Sequence, residues 1–257
     1  RRALAIREKA QGPDHPDVAQ SLNDLARLYR SLGDYTKAEP LYLRALAIRE
    51  KTLGPAHPAV ATSLNNLAEL HRSYAKAEPL YRRALTILER ALGPDHPDVA
   101  QSLNDLAGLY RSLGDYTKAE PLYRRALTIR ERALGPDHPD VAQSLNNLAV
   151  LEAAQQHYHP AAGLFKNGLA IQGRQIQNIF TFTTEEQKFK FIETISSPYF
   201  AFLSLIHQHL SNDQVTVRDG FELVLGRKGI VFDAQSRARD VLQGRLSEEA
   251  RKEWDRL

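Results

Sequence analysis

The chain has 257 residues, 42% hydrophobic and 25% charged, with a net charge of +3 and neither cysteine nor methionine. This ordinary globular balance excludes disulfides, thiolate metal sites and a cysteine nucleophile, and so small a charge argues against a polyanion binder. No apolar run approaches the ~20 residues of a spanning helix, and the absence of cysteine fits the cytoplasm, where we expect the chain to reside.

The sequence opens inside a repeat. Arg1-Arg2-Ala3-Leu4-Ala5-Ile6-Arg7-Glu8 parallels Arg124-Arg125-Ala126-Leu127-Thr128-Ile129-Arg130-Glu131, so the stretch reads as the end of a helix and the chain as a fragment. The hexapeptide Gly-Pro-Asp-His-Pro-Asp follows at Gly12 and returns at Gly93 and Gly135, with the variant Gly-Pro-Ala-His-Pro-Ala at Gly54. The steps are 42, 39 and 42 residues. Self-similarity at this period predicts an all-α stack of units, each burying its apolar face on its neighbours.

Each unit reads as helix, turn, helix, loop. A first helix is predicted from Pro16 to Leu32, with Val18, Leu22, Leu25, Ala26, Tyr29 and Leu32 at spacings of three and four. Gly33 ends it and Asp34 caps the next, predicted from Tyr35 to Leu53, with Ala38, Leu41, Tyr42, Ala45, Leu46 and Ile48 on its buried side. In the hexapeptide, proline forces the preceding histidine out of helical backbone and then serves as first residue of the next helix. The hexapeptide therefore stops one helix and starts another. Its adjacent histidine and carboxylate read as structural rather than as metal ligands.

The 39-residue step has a local cause. His71-Arg72-Ser73-Tyr74-Ala75-Lys76 lacks the equivalents of Leu113-Gly114-Asp115, which form the turn elsewhere. A deletion there would fuse or strain the two helices, so we expect three residues to be absent from this chain.

These motifs resemble tetratricopeptide repeats. The resemblance rests on Leu-Asn-Asp/Asn-Leu-Ala, Leu-Tyr, Gly-Asp-Tyr, Lys-Ala-Glu-Pro-Leu-Tyr and Arg-Ala-Leu; the longer unit with Leu-Gly-Pro-Asp-His-Pro-Asp resembles the kinesin-light-chain type. It covers about residues 1–176 and implies a right-handed superhelix of 42-residue helix-turn-helix units. The fourth unit keeps its first helix, Pro139 to Ala154, while its second, around His157 to Phe165, degenerates and is loosened by Gly168 and Gly173.

Residues 177–257 are expected to form a non-repeating helical segment packed on the last repeat. Thr183-Thr184-Glu185-Glu186 offers a capping box. A stripe from Phe189 to Leu210 is kinked or restarted at Ser197-Pro198, Ser211-Asn212-Asp213 is a turn, and a further helix runs to about Leu242, with Ser247 capping a last one. The run Leu223-Val224-Leu225-Gly226-Arg227-Lys228-Gly229-Ile230-Val231-Phe232-Asp233-Ala234 resembles the helical stretch after the repeats in bacterial TPR–CHAT proteins. That resemblance implies a caspase-like peptidase domain downstream, with this chain its recognition half.

No paired carboxylates, Ser–His–Asp set or phosphate loop stands out: Gly226-Arg227-Lys228-Gly229 lacks the spacing and the preceding strand. The pairs His157/His159 and His207/His209 point apart on a helix. We expect no enzyme, cofactor or metal. The informative stripe lies on the first helices, where offsets of three and four align Gln20, Asn23, Arg27 and Arg30. The later counterparts are Thr62, Asn65, Glu69 and Arg72; Gln101, Asn104, Gly108 and Arg111; and Gln143, Asn146, Val150 and Ala153. Stacking would align Asn23, Asn65, Asn104 and Asn146 into a ladder beside Arg30, Arg72 and Arg111. The resemblance implies that this face is a groove gripping a peptide, whose backbone the amides could pair with and whose carboxylates the arginines suit. An acidic protein segment is the expected partner. A stand-alone cargo or assembly adaptor is the alternative; nucleic-acid binding through the arginine-rich second helices is disfavoured by the net charge.

Overall fold

The computed structural model of the chain describes residues 2–71, 74–180 and 196–224. The described residues are helical throughout, apart from short connections. In chain order the helices are α1 (Arg2–Gln11), α2 (Pro16–Ser31), α3 (Tyr35–Leu53), α4 (Pro58–Leu70), α5 (Tyr74–Leu92), α6 (Pro97–Ser112), α7 (Tyr116–Leu134), α8 (Pro139–Ala154), α9 (Tyr158–Phe180), α10 (Ser196–His209) and α11 (214–224). They divide into two compact units, Arg1–Ser144 and Leu145–Leu257.

The hexapeptide sets the helix ends as its chemistry requires. His15, His57 and His96 sit in extended backbone at the N-caps of α2, α4 and α6, each followed by proline at the start of the helix. The histidine side chain supplies the cap. Its Nδ1 accepts from the backbone N–H two residues on, at 3.2 Å for Asp17, 3.1 Å for Ala59, 3.1 Å for Asp98 and 3.1 Å for Asp140. One of the orphan donors at each helix start is thereby met. Asp34 and Asp115 cap the second helices in the same way, accepting from Lys37 and Lys118 N–H.

In the first unit, two layers of helices follow from the alternation. Val60, Ala61 and Leu64 of α4, Ala84, Ile87 and Leu88 of α5, Val99, Ala100 and Leu103 of α6, and Ala126 and Ile129 of α7 form one buried cluster. Four helices from two repeats thus share one core, and each fully buried leucine in it contributes about 1.5–3 kcal/mol of hydrophobic stabilisation. On the outer layer of second helices, glutamate and arginine alternate from repeat to repeat: Glu8–Arg44 at 2.7 Å, Glu50–Arg83 at 2.6 Å and Glu89–Arg125 at 2.7 Å.

In the short second repeat α4 and α5 are separate helices. Three residues separate α4 from α5, as three separate α2 from α3, so the whole deletion is taken out of the first helix, 13 residues long instead of 16. His71 leaves the helix in extended backbone, its N–H donating to Ala68 O at 3.0 Å. The expectation that three residues are absent falls on a connection whose Arg72 and Ser73 lie outside the described residues.

In the second unit, α9 runs unbroken through Gly168 and Gly173 and extends to Phe180, so the expected degeneration does not occur. Its Ala161, Ala162, Phe165 and Leu169 pack on Phe202, Leu205, Ile206 and Leu210. α10 begins at Ser196 with proline in its first turn, the restart expected at Ser197-Pro198. Asp213 caps α11, accepting from Val215 N–H at 3.1 Å and from the Thr216 hydroxyl at 2.6 Å. The predicted capping box at 183–186, the helices beyond 224, and the run from Leu225 to Ala234 lie outside the described residues.

One turn departs from the repeat chemistry. Gln156 has φ 65°, the left-handed value that Gly33 (75°) and Gly114 (76°) take at the equivalent turns. The closing bond is the same in all three: His157 N–H donates to Glu152 O at 2.9 Å, as Asp34 does to Tyr29 O and Asp115 to Tyr110 O. A side chain in this backbone region costs about 1 kcal/mol. Gln156→Gly should therefore raise stability by about 0.5–1 kcal/mol, read as a higher urea midpoint; a lowered midpoint would contradict the assignment.

Candidate functional site: the polar face of the first helices

The first helices abut one another in sequence, and this decides which polar residues remain accessible. Asn23 is 3% exposed and accepts from Asn66 Nδ2 at 2.8 Å across the α2–α4 seam. Asn65 is half-buried and accepts from the Ser102 hydroxyl at 3.5 Å. Asn104 donates to the Ser144 hydroxyl at 3.5 Å and, like Asn146 in the second unit, is buried. Asn23, Asn65 and Asn104 thus bond between successive first helices, and Asn23, Asn104 and Asn146, being buried, do not form the exposed ladder expected from spacing. The physical reason is that each of α2, α4 and α6 has the next first helix against it, and its asparagine falls on that seam.

The exposed part of the stripe is carried by Gln20, Thr62 and Gln101, with Arg27 and Glu69; Arg30 and Arg111 are half-buried, and Gln143 of α8 is exposed. Arg72 lies outside the described residues. Arg30 forms an ion pair with Glu69 across the seam, and Arg27 Nη2 lies 3.6 Å from Asp24 Oδ1. The face is accordingly mixed in charge: Asp24, Glu69 and Asp105 stand among the arginines.

Behind this face lie two buried arginines that sequence reasoning missed. Arg49, 5% exposed, leaves α3 and donates through Nη1 to Ala59 O (3.0 Å) and the Ser63 hydroxyl (2.8 Å), and through Nη2 to Gln20 Oε1 (2.7 Å). Gln20 Nε2 in turn donates to Asp24 Oδ1 at 3.1 Å. Arg130, 3% exposed, repeats the pattern on Asp140 O (3.0 Å), the Ser144 hydroxyl (2.9 Å) and Gln101 Oε1 (2.6 Å), and Gln101 Nε2 donates to Asp105 Oδ1 at 2.8 Å. Each arginine ties three successive helices together and, through glutamine, orients a carboxylate on the polar face. Burial lowers the pKa of both guanidiniums, while Asp24 works against this for Arg49, and Asp140 and Asp105 for Arg130. The second repeat has Leu88 at this register, 4% exposed. That leucine was the available signal: an apolar sibling marks an inward position.

Asp105 is half-buried, and burial pushes its carboxyl up to about 6, against the opposing pull of Gln101 and of the Arg130 and Arg30 charges. Beneath the face lie the tyrosines of the second helices, Tyr42, Tyr81 and Tyr123, all with raised pKa through burial.

Among the described residues no group of three or more histidine, aspartate or glutamate side chains is placed to hold a metal. His157 Nδ1 lies 2.9 Å from Glu152 Oε2, His159 Nδ1 3.4 Å from Asp213 Oδ2, and the His209 ring stacks on Tyr158 at 4.0 Å. No described helix is long and apolar enough to cross a membrane.

Paired helices repeated at this period, with a polar face on the first helices, define a helical-repeat scaffold. The tetratricopeptide repeat family model matches residues 1–51, 26–74, 72–132 and 100–173, and the chain belongs to that family, whose members act as protein-interaction scaffolds. Nephrocystin-3 of Xenopus laevis is 54% identical over 41 residues, a stretch covering 16% of this chain and 3% of that protein. Among solved structures, BtubC (BKLC) from P. vanneervenii superposes with a TM-score of 0.64 at 23% identity, covering 96% of this chain and 89% of its own. A kinesin-light-chain protein of Podosopora anserina with nearly identical TPR-like repeats gives 0.61 at 24% identity, with 86% and 98% covered. The apo form of RapI gives 0.57 at 18% identity, with 89% and 90% covered. These likenesses show the solenoid fold.

Proposed function

We propose that the chain binds a peptide or extended protein segment along the polar face of α2, α4 and α6. The observation that carries this reading is the pair of arginine–glutamine–aspartate relays. A solvated face does not require its carboxylates to be held by glutamines that buried arginines fix in turn, whereas a binding face gains from groups oriented before the ligand arrives. Residues 1–176 form the recognition array in this reading, and residues 177–257 a helical segment on its last repeat. The preference for an acidic segment rests on Arg27 and Arg111 and is weakened by Asp24, Glu69 and Asp105. The setting in a larger CHAT-type protein rests on the run 223–234 alone. The nucleic-acid reading loses support, because Arg44, Arg83 and Arg125 of the second helices are neutralised by Glu8, Glu50 and Glu89.

Panning a random dodecapeptide library against the chain tests this. Selected peptides should bind at least about tenfold more weakly when the exposed Thr62 of α4 is replaced by the bulk of Thr62→Trp. Affinity unchanged by that substitution would place binding elsewhere and overturn the reading. Enrichment of Asp and Glu, lost with Arg27→Ala and Arg111→Ala, would establish the acidic preference.

A further inference from the structure

The repeats differ at one spot in a way that the stacking does not require. In the first repeat, Asp24 has Arg27 three residues on, one turn along the same helix face, with Nη2 at 3.6 Å from its carboxylate. The third repeat keeps the aspartate, as Asp105, with the same glutamine and the same buried arginine behind it, but three residues on it has Gly108. A Cβ placed at Gly108 would come near only one atom, the Tyr123 hydroxyl at 3.6 Å, so nothing in the packing demands glycine there. A glycine in mid-helix costs about 1 kcal/mol relative to alanine. Among the described residues, Asp105 has no ion pair; its one hydrogen bond comes from Gln101. The second and fourth repeats carry Asn66 and Asn147 at this register.

We propose that the third repeat holds a socket for one basic side chain of the bound segment, in which the Asp105 carboxylate takes an arginine or lysine in the place that Arg27 occupies beside Asp24. This rests on the peptide-binding reading of the same face and deepens it. Gln101, fixed from behind by Arg130, holds one carboxylate oxygen and leaves the other for the ligand. Tyr123 closes the floor, and the missing side chain of Gly108 gives the room. Arg30 and Arg130 are the charges nearest the socket that favour ionisation of Asp105, and burial opposes it, so an incoming cation supplies the counter-charge that the repeat itself lacks. A charge-assisted hydrogen bond to a preformed, partly desolvated carboxylate is the kind of contact that fixes the register of an extended ligand.

Two measurements test the socket. In the first, peptides panned on the wild-type chain should share a basic residue at one position, and replacing it by norleucine should weaken binding about tenfold. Asp105→Asn, which the chain already tolerates as Asn66 and Asn147, should select peptides without that basic position. Gly108→Arg, which copies the first repeat, should do the same by filling the socket from within. Peptides that bind the face but show no basic position, or bind Asp105→Asn equally well, overturn the socket and leave the binding face standing. In the second, methylguanidinium is titrated against the Asp105 carboxyl carbon by NMR, which reads the socket even if no peptide is selected and the binding-face reading fails. The carboxyl midpoint should move to lower pH in the wild type and remain unmoved by the ligand in Gly108→Arg. No movement in the wild type overturns the proposal.

Discussion

Arg130→Ala should destabilise the array by about 2–4 kcal/mol, while Arg130→Leu should stay within about 1 kcal/mol of the wild type. The alanine variant leaves the Ser144 hydroxyl, the Asp140 carbonyl and Gln101 without their donor and opens a cavity where the stem of the side chain ran. The leucine variant also removes the donor, but fills that space and abolishes the cost of burying a guanidinium, and Leu88 is the demonstration that this register accepts it. Because each repeat contacts only its neighbours, the loss should be local before it is global. Amide exchange in α6, α7 and the start of α8 should accelerate first, with α2 and α3 protected to higher denaturant. An alanine variant as stable as the leucine variant would show that filling the space of the side chain contributes nothing net.

Asp105→Asn should stabilise the chain at pH 8 by about 1–3 kcal/mol, an advantage that shrinks as the pH falls. The sign follows from the direction of the shift. In the fold the carboxyl titrates at about 6, and its ordinary value is 3.8. Between these values the folded chain holds a proton that the unfolded chain has released, so the stabilising contribution of this group is full below about pH 4 and is lost as the pH rises through 6. Urea midpoints of wild type and variant, measured from pH 4 to pH 8, should diverge with increasing pH. A constant difference would mean that Asp105 is not held out of water as its surroundings indicate. A chain that keeps a destabilising carboxylate where two sibling repeats have asparagine is consistent with a use for the charge, the use assigned to it above.

The ends of the helices were readable from the sequence because they depend on local chemistry. Proline after histidine, glycine after the last turn and aspartate before tyrosine each act within a few residues, and Pro16, Tyr35, Pro97 and Tyr116 begin their helices as expected. The faces were less readable, because a spacing of three and four defines a stripe on one helix but not the neighbour that covers its edge. Asn23 and Arg27 share a stripe by period, yet the adjoining first helix buries one and leaves the other exposed. The charge of Arg49 and Arg130 concealed their inward position until the three registers were laid side by side with Leu88. Gln156 was missed for a similar reason: its left-handed backbone is imposed by the closing bond of the turn, while its own side chain carries no signal for it.

The shortened α4 bears on how such an array can change length. It is 13 residues long where α2 has 16, yet Pro58 and Tyr74 begin their helices at the positions taken by Pro16 and Tyr35 in the repeat before. Alignment between units is therefore set from the hexapeptide side, where His57 caps α4 and proline opens it, and a first helix can differ in length at its other end without changing where the next first helix begins.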